Sequence, residues 1–145
     1  MTVITTFSEK QREKRWKFER KVLRQLSLND LKKDAQQHFE PLFPFHFQYE
    51  PFLMDPIIDA AIDSFLIGAE FSRFGYYGEA LRDVRFRCED ELKDIYTQLF
   101  YILEAWYTYR DIGLDSLYLA VEQFVEKWWE KGFTEGTKRY RMRLH

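Results

Sequence analysis

A chain of 145 residues, 46% hydrophobic and 19% aromatic, is long enough to bury one core without metals or disulfides. Its one cysteine, Cys88, excludes an internal disulfide and fits a reducing, cytoplasmic setting; no run approaches the roughly 18–20 apolar residues a membrane span needs. The net charge of −2 is unevenly spread, with 10 Lys/Arg against 4 Asp/Glu over residues 1–33, 8 against 19 over 34–133, and 4 against 1 over 134–145. Basic ends around an acidic middle either fold back on the body or meet an external anion. The first residues, MTVITTFSEKQREK, hold no apolar stretch of signal-peptide length. With 6 Gly and 4 Pro, the chain also lacks the turn residues of an all-β protein.

Ser8 followed by Gln11 has the form of a capping box and predicts a helix from about Glu9 to Leu26. Trp16, Phe18, Val22, Leu23 and Leu26 fall on one side, interrupted by Arg12, Arg15 and Glu19. Lys10, Lys14, Lys17, Arg20, Lys21 and Arg24 gather in an arc of about 120° on the other. Such basic amphipathic helices bind anionic membranes, calmodulin-like grooves or nucleic-acid phosphates. The plainer expectation is a solvated face, or one paired with the protein's own carboxylates. Ser27 then caps a short second helix, in which Leu28, Leu31, Ala35 and Phe39 recur at spacings of three and four until Pro41 stops it, near His38.

Glu40–Asp55, EPLFPFHFQYEPFLMD, reads as irregular. Phe43, Phe45, Phe47 and Tyr49 alternate with other residues, so an extended strap would carry all four rings on one side. Such a row stacks bases, lines a ligand pocket or seals the end of a helical bundle. The segment contains no Lys or Arg to hold phosphates, which favours the seal.

Pro56–Glu79 predicts the central helix. Ile57, Ile58, Ala61, Ile62, Phe65, Leu66, Ala69 and Phe71 cover more than half its circumference, leaving Asp59, Asp63 and Glu70 in one stripe. Asp55 is placed to cap it, with Pro56 at the first helical position. It stops at Gly75, and FGYYGE (Phe74–Glu79) makes a corner. A helical pattern then runs from Glu79 to about Tyr109, roughly 45 Å, with a kink expected at Arg87–Glu91 and a buried, inert Cys88 on its core stripe. Gly113 ends it. Asp115 or Ser116 caps a last helix, which Gly132 is expected to terminate. Adjacent Trp128 and Trp129 point about 100° apart. Unless that helix is deeply buried, Trp129, with Phe133, belongs to a subunit interface. The tail from residue 134 reads as flexible and basic, with Lys138, Arg139, Arg141 and Arg143 extending the candidate anion surface of the first helix.

Chemistry-bearing motifs are sparse. The histidines are His38, His46 and His145, and the sequence contains no HExxH, CxxC, Glu-x-x-His or Gly-x-Ser-x-Gly element. Asp59 and Asp63, one turn apart, can hold a divalent ion only with a ligand from another helix, and Glu70, about 16 Å from Asp59 along the helix, cannot share it. Together with Tyr76 and Tyr77 they form the candidate small-ligand or metal pocket; no cofactor is expected.

EPLFPF (Glu40–Phe45), FGYYGE (Phe74–Glu79) and WWEKGF (Trp128–Phe133), in this order and spacing, resemble the YbaK-like proteins of Bacillus-type bacteria, which are unrelated to the tRNA-editing enzymes of the same name. The resemblance covers nearly the whole chain. It implies a cytoplasmic bacterial protein and supplies no catalytic residue. The sequence therefore predicts a single all-α domain, a bundle of four or five helices around Pro56–Phe74 with an aromatic strap. It ranks a self-associating, non-enzymatic interaction protein first, a nucleic-acid or ribosome-associated binder second, and a small-ligand or metal carrier third.

Overall fold

The computed structural model describes residues 17, 20, 23, 24, 26–107 and 113–142. Among these, six α-helices and one 3-10 turn make an all-α bundle with no strand. They are α1 (Leu28–Phe39), α2 (His46–Tyr49), the 3-10 turn Pro51–Leu53, α3 (Met54–Tyr76), α4 (Leu81–Arg87), α5 (Glu89–Glu104) and α6 (Leu114–Arg141). Most of the expected helix from Glu9 to Leu26, including Lys10, Lys14 and Lys21, lies outside the described residues, as does Arg143.

The core is organised by α3 and α6, which run parallel and in close contact. Phe65 meets Gly132, Ser72 meets Gly136, and Tyr76 stacks on Tyr140. A Cβ on Gly132 would run into the Phe65 carbonyl, one on Gly68 into the Trp129 carbonyl, and one on Gly136 into Ser72. Backbone touches backbone along this seam, and only glycine permits it. Gly132 is therefore an interior helical residue and not the expected stop. Nor does a loose tail follow it: α6 continues to Arg141, with Gly136 and Arg139 on its buried face. The buried hydroxyls of Ser64 and Ser72 donate to the carbonyls of Ala60 and Ala69 within their own helix, so small polar residues enter the seam satisfied.

α1 packs on one side of this pair and α4–α5 on the other. Leu31, Ala35 and Phe39 turn α1's apolar stripe inward, and the Ser27 side chain caps it by accepting from the Asp30 amide at 3.3 Å. Asp34 accepts from the Trp128 indole N–H at 2.9 Å and pairs with Lys127, tying α1 to α6. Opposite, the helical path breaks at Cys88, within the expected kink, where φ −94° and ψ 4° leave the α region. Arg85 crosses from α4 to α6: its Nε donates to both Glu126 oxygens at 2.7 and 2.8 Å, and its Nη1 to Glu89 at 2.8 Å. Glu126 foremost holds this guanidinium well above its ordinary pKa.

Two expectations at the start of α3 are corrected. The helix begins at Met54, so Asp55 lies in its first turn and is not its cap. The 3-10 turn Pro51–Leu53 leads straight into it, so the chain is already helical before Asp55. The strap is not extended either. Residues 46–53 are almost wholly α2 and the 3-10 turn, and a helical period replaces the period of two.

Candidate interaction surface

The helical period decides what the aromatic connection between α1 and α3 presents to solvent. Residues four apart share a face. Phe43 is fully buried and packs with Phe47, ring centroids 6.1 Å apart, with His46 at 5.4 Å and with Tyr107 at 5.8 Å. Phe45 and Tyr49 take the opposite face and are 62% and 76% exposed. Phe52 is 54% exposed and meets the half-buried Trp106 edge-on at 5.4 Å. The row of four rings expected on one side is thus split: one face seals the core, and the other stands in water. On its inner side the connection borders an open groove of about 580 Å³ between Lys32 and Gln36 of α1 and Phe47 and Ile58.

The other candidate residues are dispersed. Asp59 and Asp63 are exposed along a shallow cleft of about 280 Å³ between α3 and α5, opposite Ile95, Gln98 and Ile102. Tyr76 and Tyr77 lie at the far end of α3, about 20 Å away by helical rise, so the four residues form no common pocket. Among the described residues no group of three or more His, Cys, Asp or Glu side chains is placed to hold a metal ion. Tyr76 and Tyr77 instead close the corner, their rings 5.1 Å apart and Tyr76 stacked on Tyr140. Arg87 locks the same corner, donating from Nε to Glu79 at 2.7 Å with its guanidinium 4.1 Å from the Phe74 ring centre.

Trp129 is corrected from interface to core. It is 2% exposed and stacked on the half-buried Phe133 at 5.5 Å, because α6 is the deeply buried case in which both adjacent tryptophans reach the core. The basic surface is also divided. Arg139 is 7% exposed on the seam side of α6, and Lys138 pairs with Glu135, leaving Arg141 exposed on the described tail. Lys17, Arg20 and Arg24 are exposed.

Cys88 is buried, as its place on the core stripe predicts. Burial pushes its thiol from 9.0 up to about 11, partly opposed by Trp129, and burial likewise raises the Tyr96 phenol from 10.0 to about 12. The native state keeps these protons where the unfolded chain has lost them. The associated stability is therefore fully present below about pH 9 and falls as pH rises through 11 and 12. Equilibrium unfolding from pH 8 to 11 should show this decline, and Cys88→Ala should flatten its first part. A decline of equal steepness in the variant would assign it to other groups. Thiol labelling of the native protein at pH 8 should be slow and limited by opening.

No described helix is long and apolar enough to cross a membrane. No solved structure matches the chain. It is 30% identical over 146 residues to the uncharacterized protein YbaK of Bacillus subtilis (strain 168), with 99% of each chain covered. The family model described as a protein of unknown function (DUF2521) matches residues 1–145. The resemblance carried by EPLFPF, FGYYGE and WWEKGF thus holds across the whole chain, which belongs to the DUF2521 family.

Proposed function

We propose that this chain works as an interaction protein that self-associates through the outward face of its aromatic connection. The observation that carries this reading is the exposure of Phe45, Tyr49 and Phe52 on one short connection, with Trp106 behind Phe52. Aromatic rings are enriched in the buried centres of protein interfaces and depleted from solvated surfaces. An aromatic patch is also self-complementary under two-fold symmetry, the commonest arrangement of soluble oligomers. The rigid side of the connection supports the same reading: Phe43, Leu53 and Ile57 anchor it in the core, so the outward rings are held in place before binding.

The test is light scattering on a concentration series of the wild type and of Phe45→Ser/Tyr49→Ser/Phe52→Ser. The wild type should show a mass above that of one chain, and the variant should return to one chain with its helical content intact. A wild type that stays at 17.8 kDa at every concentration would remove self-association from the reading. An assembly that survives in the variant would move the interface elsewhere.

A further inference from the structure

We infer that the end of the bundle where α3 and α6 finish together binds single-stranded nucleic acid. The two helices run parallel, so their last turns emerge side by side, with Tyr76 stacked on Tyr140, and α4 starts from the same corner. Cations far apart in sequence therefore meet at this end: Arg73 of α3, Arg82 and Arg87 of α4, and Lys138 and Arg141 of α6. Residues 73–87 and 135–142 together hold 7 Lys/Arg against 3 Asp/Glu. Residues 34–72 hold 0 against 7, and residues 88–134 hold 4 against 10, so the positive charge of residues 34–142 is gathered here.

Helix dipoles account for part of this charge, because the C-terminal ends of α3 and α6 favour cations. They do not account for Arg82, which sits in the first turn of α4, where the dipole opposes a cation. Its side chain is 92% exposed, with Asp83 at 3.9 Å. Arg73 and Arg87 bring their guanidiniums to 5.0 and 4.1 Å from the centre of one ring, Phe74, and Glu79 pairs only with Arg87. Arg73 and Arg141 are exposed and have no carboxylate partner among the described residues. The Arg73 charge also acts on the Tyr140 phenol, opposing the rise that burial gives its pKa, so cation and rings adjoin. Tyr77, in the corner itself, is 80% exposed. Cations that hold phosphates beside a ring that stacks an unpaired base are the two parts of a single-stranded site. A duplex offers Tyr77 no free base face, and a membrane would need aliphatic area that Tyr76, Tyr77 and Tyr140 do not supply. α3, about 35 Å long, separates this patch from Phe52 at its other end, so the inference stands apart from self-association.

Fluorescence anisotropy of a labelled oligouridylate of about twelve nucleotides with the full chain, from about 25 to 200 mM salt, tests this site. With about four phosphate contacts, log K should fall against log salt with a slope of about −3. Arg73→Gln/Arg141→Gln should weaken binding and roughly halve that slope. Tyr77→Ala should weaken binding about tenfold at an unchanged slope, because it removes a stacked base and no charge. No binding at the lowest salt, a slope that Arg73→Gln/Arg141→Gln leaves unchanged, or full affinity in Tyr77→Ala would overturn the inference. Equal affinity for a duplex of the same length would overturn it as well. Phosphatidylglycerol vesicles that sediment the protein when the oligouridylate does not bind would overturn it too, by assigning the patch to a membrane.

Discussion

Gly132→Ala is expected to destabilise the protein by about 2 kcal/mol, lowering its melting temperature by about 6 °C. The sign makes this result informative. In an exposed helix the same change stabilises by up to about 1 kcal/mol, because alanine restricts the unfolded chain and favours the helix. At Gly132 the added methyl meets the backbone carbonyl of Phe65, which cannot rotate away as a flexible side chain can. α3 and α6 must then separate along their length, losing dispersion contacts at Phe65, Trp128 and Gly68 together. Gly136→Ala should cost less, since the nearest atom to its new methyl belongs to the Ser72 side chain. Thermal unfolding of both variants measures the difference. A stabilised Gly132→Ala would mean that the two helices are not in backbone contact at that point.

Phe43→Ala is expected to cost about 3–5 kcal/mol, while Phe45→Ala, two residues away in the same aromatic run, should change stability by less than about 0.5 kcal/mol. Phe43 is fully buried among Phe47, His46 and Tyr107, and its removal leaves a cavity at the junction of the connection with the end of α5. Phe45 is already in water. Denaturant unfolding of the two variants separates the helical arrangement from the extended strap. A strap with its rings on one side would make the two costs similar.

The parts of this fold that were legible in the sequence are those where local pattern and packing agree. Apolar spacings of three and four locate α1, α3 and α6, Ser27 marks a cap, and the charged run around Cys88 marks a break. The errors come from residues whose two physical roles look alike in one dimension. Gly132 is equally the residue that ends a helix and the residue that lets two helices touch, and only the position of Phe65 on another helix separates the roles. Gly132 and Gly136, four apart, together with Ser64, Gly68 and Ser72 on α3, do form a small-residue pattern that signals close helix packing. Phe43, Phe45, Phe47 and Tyr49 satisfy a period of two, but the spacing of four between Phe43 and Phe47 and between Phe45 and Tyr49 is equally helical. Trp129 was misplaced because the width of the buried face of α6, broad enough to take Trp128 and Trp129 together, depends on how α1, α3 and α4–α5 pack against it. The Arg85–Glu126 pair spans 41 residues, and no local spacing announces it. The acids of α3 are visible as a stripe, and the single helix expected over Pro56–Glu79 already sets Asp63 about 20 Å from Tyr76 by its rise.

The measurement that most directly tests the proposed interface is oxidative footprinting of side chains across a protein concentration series. Phe45, Tyr49 and Phe52 should label rapidly in the dilute protein and at least severalfold more slowly where the assembly forms. Phe86, 79% exposed on α4, should label equally at both concentrations and serves as the control. Unchanged labelling of Phe45, Tyr49 and Phe52 in the assembled protein would contradict the account, because those rings would remain in water while the copies met elsewhere.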